Sequence, residues 1–174
     1  MLHFIEGALG FDFPDDWQVC PLDRTSFYKQ RFQSFGKSAG GKGAKSVDFV
    51  AFAQRAKELW LIEVKDYRQG LREKPIDLVQ EVAEKVRDSL ACIHAMAANA
   101  GGDDQTFARQ ALRRPRIRIV LHLEQPSKPS RLKPVAVPSV DLKQKIQQAL
   151  RAVDPHALAG GKDVLNLKTP WQVR

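Results

Sequence analysis

Two apolar segments, each interrupted by an acidic residue, constrain the fold of this chain more than any other feature. Residues 47–53 include Asp48, and residues 58–67 include Glu63, each among aliphatic and aromatic neighbours. Both segments have the length and composition of buried β-strands. A charge inside such a strand is costly unless it is paired or bound to a metal ion, so each carboxylate needs a cation nearby.

A hairpin between these two segments brings the charged residues together. If the chain turns through residues 54–57, the register of the hairpin sets Asp48 opposite Glu63. Directly opposed residues of an antiparallel pair point to the same face, with Cβ atoms about 4.5–5.5 Å apart. Lys65 follows Glu63 by two positions and therefore shares that face. The sequence predicts two carboxylates and one ammonium group on a single surface of the sheet.

A divalent cation between the two carboxylates removes their mutual repulsion. Magnesium suits such a site because it takes oxygen ligands and keeps several waters, and manganese is a second candidate. A bound magnesium ion polarises a phosphate and lowers the pKa of its water. Lys65 then orients or deprotonates that water, or neutralises charge on the phosphorus centre. The pattern predicts a centre that cleaves phosphodiester bonds.

The remaining segments predict a mixed α/β fold. Strand-like residues at 17–22 and 26–35 flank a turn, and we expect a helix over 75–98, a strand over 116–123, extended or looped chain over 126–138, a helix over 140–153 and a strand over 164–167. This order predicts one domain over residues 1–174, with a mixed sheet flanked by helices and an N-terminal β-rich extension.

Basic residues exceed acidic ones and lie in clusters. The chain has 28 Lys and Arg against 20 Asp and Glu, a net charge of +8. Two clusters without acids, at residues 29–45 and 109–118, favour contact with a polyanion. A solvated basic surface is the alternative. The residues predicted to contact nucleic acid are Lys37, Lys42, Lys45, Tyr67, Arg68, Arg113 and Arg114.

Asp48 and the run Glu63-Val64-Lys65, in neighbouring strands that precede a helix, resemble the PD-(D/E)xK nuclease superfamily. This superfamily includes restriction endonucleases and Holliday-junction resolvases. The resemblance implies a restriction endonuclease-like sheet, with Asp48, Glu63 and the backbone carbonyl of Val64 as metal ligands. It implies Lys65 as the catalytic lysine, and magnesium or manganese as the cofactor.

The resemblance also points to accessory residues outside the two strands. Gln80 lies on the following helix where some members have a supporting glutamine, and Glu81 is an equal candidate. Glu6 is the early acidic residue that comes nearest to the glutamate of the family's first helix. Val47 occupies the position of the proline in the motif's name.

We expect a cytoplasmic deoxyribonuclease that leaves 5′-phosphate and 3′-hydroxyl ends, as the resemblance implies, with a role in repair, recombination or defence by analogy. Residues 1–6 do not have the pattern of a signal peptide, and no apolar run is long enough to cross a bilayer. A protein partner for targeting is one expectation, and a dimer would suit double-strand cutting. The alternatives are an inactive nucleic-acid-binding module and an interaction protein whose basic face binds an acidic partner.

Overall fold

A mixed five-stranded sheet forms the centre of the fold. The structure, a computed structural model, describes residues 1–37, 42–68, 77–126 and 141–174. Its elements in chain order are β1 (Leu2–Glu6), β2 (Leu9–Phe13), β3 (Trp17–Cys20), β4 (Phe49–Ala53), β5 (Glu58–Asp66), α1 (Leu78–Asn99), α2 (Gly102–Ala111), β6 (Arg116–Glu124), α3 (Leu142–Ala149), β7 (Leu158–Gly160), α4 (Lys162–Leu165) and β8 (Gln172–Val173).

The central sheet has the strand order β3-β4-β5-β6-β7. β3, β4 and β5 pair antiparallel, whereas β5, β6 and β7 pair parallel. Phe49 pairs with Ile62 and Ala51 with Trp60, which is the register predicted from the sequence. The mixed sheet and the β4–β5 hairpin are therefore both confirmed.

The two faces of the central sheet are covered by different layers. On one face, which we call the helix face, Val50 and Phe52 of β4 pack in one apolar cluster with residues of α1, α2 and α3. On the other face, Phe49 and Ala51 pack in a second cluster with β2, Trp171 and Leu165 of α4. This alternation along β4 is the period-two pattern of a strand buried on both sides.

A small three-stranded sheet, with the order β1-β2-β8, contributes to the second layer. β1 and β2 form a hairpin whose turn contains Gly7 at a φ of 59°, a conformation that favours glycine. Phe11 of β2 pairs with Val173 of β8. The N-terminal residues therefore form strands, but these are β1 and β2 and not the two segments at 17–22 and 26–35 from which a β-rich extension was predicted.

The strand predicted over residues 26–35 is wrong, because residues 26–32 are helical, with a π-helix at Tyr28–Phe32, and residues 33–35 form a turn. The Thr25 Oγ1 accepts a hydrogen bond from the N–H of Tyr28 at 3.2 Å and so caps the first turn. Phe27, Tyr28 and Phe32 are all buried in the helix-face cluster. The aromatic residues that suggested a strand reflect burial of one side of a helix.

The strand predicted over residues 164–167 is also wrong. Lys162–Leu165 is helical, and the N–H of Lys162 donates to the Oε1 of Glu124 at 2.7 Å. Only Leu165 of the aliphatic residues there is buried, since Val164 is 43% exposed and Leu167 is 86% exposed. The aliphatic run therefore did not mark a buried strand.

The two predicted helices are present, with different ends. α1 begins at Leu78, where Asp77 caps it, and Pro75 lies outside the described residues. α3 begins at Leu142, and most of the proline-rich segment before it also lies outside them. α2 and β7 were not predicted. Within the described ranges, no helix has the length and apolarity needed to cross a bilayer.

Candidate active site

Asp48, Glu63 and Lys65 meet on the helix face at the carboxyl end of β5. Asp48 directly precedes β4, and its Oδ2 accepts a hydrogen bond from the N–H of Val64 at 2.6 Å. The Lys65 Nζ lies 2.5 Å from the Oε1 of Glu63. The Glu63 side chain is 0% exposed and that of Lys65 is 12% exposed. The convergence predicted for these three side chains is therefore observed.

Two further charged residues reach this cluster from α1. The Lys65 Nζ lies 3.2 Å from the Oε1 of Glu81, whose side chain is 1% exposed. The Lys85 Nζ lies 2.7 Å and 2.9 Å from the two carboxylate oxygens of Glu63. It also lies 3.8 Å from the Oδ1 of Asp48. We call these five residues the charge cluster.

Lys85 was missed by the sequence reasoning, although a signal for it exists. Glu81 and Lys85 are four positions apart on α1 and so share one side of that helix. Each directly precedes a fully or almost fully buried valine, Val82 and Val86 respectively. Charged residues that border the apolar side of a helix indicate a polar partner beneath it.

Hydrogen bonds that the backbone donates to α1 side chains fix the segment that carries Asp48. The N–H of Val47 donates to the buried Oγ of Ser89 at 2.9 Å. The N–H of Lys45 donates to the Oδ2 of Asp88 at 3.0 Å. Because these bonds hold the backbone immediately before Asp48, α1 sets the position of this carboxylate relative to β5.

The three accessory candidates, Gln80, Glu81 and Glu6, differ in where they lie relative to the charge cluster. Gln80 is exposed and donates to the Oε1 of Glu84 at 3.2 Å, so the structure brings Glu81 rather than Gln80 to the charge cluster. Glu6 ends β1 and pairs with Arg24 at 3.1 Å. Burial raises the pKa of Glu6, and the negative charge of Asp48 adds to this rise. Glu6 therefore lies within electrostatic range of the cluster.

Burial raises the pKa of Glu63 to about 7, and repulsion from Asp48 acts in the same direction. The Lys85 and Lys65 ammonium groups oppose this rise. Burial alone would lower the pKa of Lys65, but Glu63, Glu81 and Asp48 together raise it above its ordinary value. Lys65 is therefore a fixed positive charge at neutral pH.

The first basic cluster, residues 29–45, precedes Asp48 in the sequence. Lys37 and Lys42 are exposed in the chain that leads to Asp48. The Lys45 Nζ pairs with Glu84 at 2.7 Å. At the end of β5, the partly buried Tyr67 packs against the helix-face core, and Arg68 pairs with Asp66 at 2.6 Å.

The second basic cluster lies at the opposite end of the sheet. Arg113 is exposed just before β6, whose first residue Arg116 pairs with Glu58 at the start of β5. Arg114 donates to the carbonyls of Ala53 and Gln54 at 3.4 Å and 3.0 Å. Its guanidinium also lies 4.5 Å from the centre of the Phe52 ring. Arg114 thus braces the β4–β5 turn.

The carboxylates of Asp48 and Glu63 share one cation, the Lys85 ammonium, and carboxylate oxygens are the kind of ligand that magnesium takes. In the part of the chain that the structure describes, no group of three or more His, Cys, Asp or Glu is arranged to hold a metal ion. Val64 joins the site through its N–H, and the role of its carbonyl as a ligand stays a prediction.

The chain is similar to part of a larger known protein. The chain is 33% identical to a cysteine–tRNA ligase of Neisseria meningitidis over 160 aligned positions, which covers 77% of this chain. The chain spans 23% of the length of that relative. No family model matches the chain, and no solved structure matches it.

Proposed function

We propose that this chain is a metal-dependent nuclease of the PD-(D/E)xK kind, with a restriction endonuclease-like sheet, that hydrolyses phosphodiester bonds of DNA. The observation that carries the proposal is the convergence of Asp48, Glu63 and Lys65 at the carboxyl end of β5. Side chains at the carboxyl ends of parallel strands commonly line the binding sites of open α/β sheets.

In this proposal Asp48 and Glu63 hold a magnesium ion. When bound, the ion supplies Lewis acidity and a water of lowered pKa. A water oxygen would form a new bond to phosphorus while the bond from phosphorus to the 3′ oxygen breaks, and one proton of that water would end on the released 3′ oxygen, which leaves 5′-phosphate and 3′-hydroxyl ends. Lys65 stabilises the negative charge that develops on the phosphate oxygens.

In the metal-free chain, the neighbouring carboxylates raise the pKa of Lys65 and keep it an ammonium group, which suits the charge-stabilising role. Surrounding carboxylates keep the ammonium in place at 2.5 Å from Glu63. Asp48 and Glu63 also orient Lys65. Asp48 accepts a hydrogen bond from the backbone of the preceding residue, Val64, and Glu63 contacts the Lys65 ammonium. Exposed Lys37 and Lys42 supply positive charge for the nucleic-acid backbone on the chain leading to Asp48.

A second candidate substrate is transfer RNA. The observation that favours it is the similarity to a cysteine–tRNA ligase, a protein whose name assigns it tRNA. The same centre would then hydrolyse or bind the phosphodiester backbone of RNA.

A cleavage assay tests both substrates. Supercoiled plasmid, linear duplex, branched DNA and tRNA are incubated with Mg²⁺, with Mn²⁺ or with a chelator. We expect metal-dependent cleavage of DNA that falls by at least about a hundredfold in Asp48→Asn, Glu63→Gln and Lys65→Met. Glu58→Gln is the matched control, since it neutralises a carboxylate at the other end of β5.

Three results would redirect the proposal. Cleavage of tRNA alone would mean that the substrate is RNA and not DNA. Binding of nucleic acid without cleavage under any metal condition would favour a non-enzymatic module. Cleavage that survives all three substitutions would mean that the centre lies elsewhere.

A further inference from the structure

We propose that the Lys85 ammonium is an internal cation that occupies the space between Asp48 and Glu63 and that a divalent metal ion must displace to bind there. This inference rests on the proposed function, because it takes these two carboxylates as the metal ligands. It adds a residue that the sequence motif does not include and assigns it control over metal binding.

The contacts of Lys85 support this role. Its Nζ is bonded to both oxygens of Glu63, at 2.7 Å and 2.9 Å, and not to one alone. The Oδ1 of Asp48 lies 3.8 Å away on the same ammonium. A group that contacts both carboxylates occupies the position where a shared metal ion would have to lie.

The charges of the cluster explain why one cation excludes the other. When Glu63 is ionised, as it must be to bind a metal ion, Asp48, Glu63 and Glu81 contribute three negative charges and Lys65 and Lys85 two positive ones, which leaves one net negative charge. A divalent ion added to this set would leave a net positive charge in a largely buried site. Replacing Lys85 with the ion leaves three negative and three positive charges, so the exchange is electrostatically favoured over addition.

Lys85 is able to leave the site. Its side chain is 16% exposed, and Asp48 beside it is 17% exposed, so this side of the cluster opens to solvent. Glu63 and Glu81, in contrast, are 0% and 1% exposed. A lysine side chain is long and flexible, and its ammonium is strongly hydrated. Glu6 lies within electrostatic range of the Lys85 amine.

The consequence is a site that keeps its shape without metal but binds metal less tightly than its ligands alone would. Lys85 prevents Asp48 and Glu63 from repelling each other when no metal ion is bound. The same contact must break before the ion is bound, and this lowers the observed affinity for the ion. Metal concentration then controls whether the nuclease centre forms.

The test measures metal binding and not cleavage. Mn²⁺ binding is followed at fixed pH by the electron paramagnetic resonance signal of the free ion, on the full chain and without nucleic acid. The variants are Lys85→Met, which keeps the length of the side chain, and Lys85→Gln, which keeps a polar end if the methionine variant folds poorly. Lys57→Met removes one exposed charge at the far end of β5 and is the control.

We expect both Lys85 variants to bind Mn²⁺ at least about tenfold more tightly than the wild-type chain, with Lys57→Met unchanged. Adding Asp48→Asn to Lys85→Met should abolish the gain, which locates the ion. Equal or weaker binding by the Lys85 variants would overturn this inference and leave the metal site intact. No Mn²⁺ binding by any of the proteins would overturn the metal site and the inference together.

Discussion

Glu63 is the residue on which the chemistry of the site depends most. Its carboxylate is fully buried, yet it contacts two ammonium groups, those of Lys65 and Lys85. Burial and repulsion from Asp48 favour its protonated form, whereas the two lysines favour its ionised form. A group balanced in this way near neutral pH responds strongly to any added cation.

We predict that the Glu63 carboxyl titrates near pH 7 in the metal-free protein, and not near 4.5. The folded protein holds this proton more tightly than the unfolded chain does. The contribution of Glu63 to the free energy of unfolding is therefore fully present below about pH 4.5 and is lost as the pH rises towards 7. Carboxyl ¹³C chemical shifts measured across this pH range give the pKa directly.

Two variants test the causes of this shift. Asp48→Asn removes a negative neighbour and should lower the pKa of Glu63, and Lys85→Met removes a positive one and should raise it further. A midpoint below pH 5 in the wild-type protein would contradict the account of this residue.

We predict that Lys65 contributes separately to the stability of the fold and to cleavage. Lys65→Met takes the ammonium away from Glu81 and should lower the free energy of unfolding by about 3 kcal/mol, because it leaves a buried carboxylate without this partner. The double variant Lys65→Met with Glu81→Gln should recover part of that loss but none of the cleavage. Urea unfolding and the cleavage assay measure the two effects. Recovery of cleavage in the double variant would mean that Lys65 acts only through the fold.

Three of the five charged residues follow from the hairpin, and Glu81 was one of two equal candidates that the family resemblance suggested on the next helix. The register of a short hairpin follows from its turn, so Asp48, Glu63 and Lys65 can be placed from spacing alone. Lys85 lies on α1, and its place at the site depends on how that helix docks on the sheet. Spacing along the chain does not determine that packing.

At the scale of elements, α1 organises the site. It covers the helix face with residues such as Val82, Val86 and Ile93, and it carries Glu81 and Lys85 on the same side. Farther along, its side chains accept hydrogen bonds from the segment that leads to Asp48. The helix therefore supplies two residues of the charge cluster and also holds the segment that carries Asp48.

We predict that Ser89→Ala disturbs the site from a distance. The N–H of Val47 would lose its acceptor in a buried place, which costs about 1–3 kcal/mol of unfolding free energy. Because Asp48 follows directly, Mn²⁺ affinity should fall as well. Chemical denaturation and the binding assay measure both effects, and Ser34→Ala, at an exposed serine, is the control. A stable variant with unchanged Mn²⁺ affinity would show that this bond does not position Asp48.

The elements that the sequence misjudged share a physical cause. Residues 26–35 contain aromatic side chains that occur in strands and in buried helix turns alike, and Thr25 was not recognised as a cap. In residues 164–167 the aliphatic side chains are mostly exposed, so their pattern carries no information about burial. Strands β4, β5 and β6 were predicted well because their apolar runs are buried on both faces of the sheet.

At the scale of the whole molecule, the chain has a net charge of +8, and some of its basic residues fall into two groups. Lys37 and Lys42 lie on the chain leading to Asp48, whereas Arg113 and Lys57 lie at the end where β5 and β6 begin. Phosphate contacts at the proposed centre should therefore involve the first pair more than the second.

We predict that Lys37→Ala with Lys42→Ala weakens DNA binding and reduces the slope of log affinity against log salt by about 2, one unit for each lost phosphate contact. Lys57→Ala with Arg113→Ala removes the same charge from the far end and should change the slope less. Fluorescence anisotropy of a labelled duplex at several salt concentrations measures both slopes. A larger effect of the far pair would move the nucleic-acid surface away from the charge cluster.

Crystals of the wild-type chain soaked with Mn²⁺ and measured for anomalous scattering test the central claim most directly. The account predicts an anomalous peak within about 2.5 Å of carboxylate oxygens of both Asp48 and Glu63, with the Lys85 ammonium moved away from them. Mn²⁺ bound only elsewhere, while Lys85 keeps both of its bonds to Glu63, would contradict it.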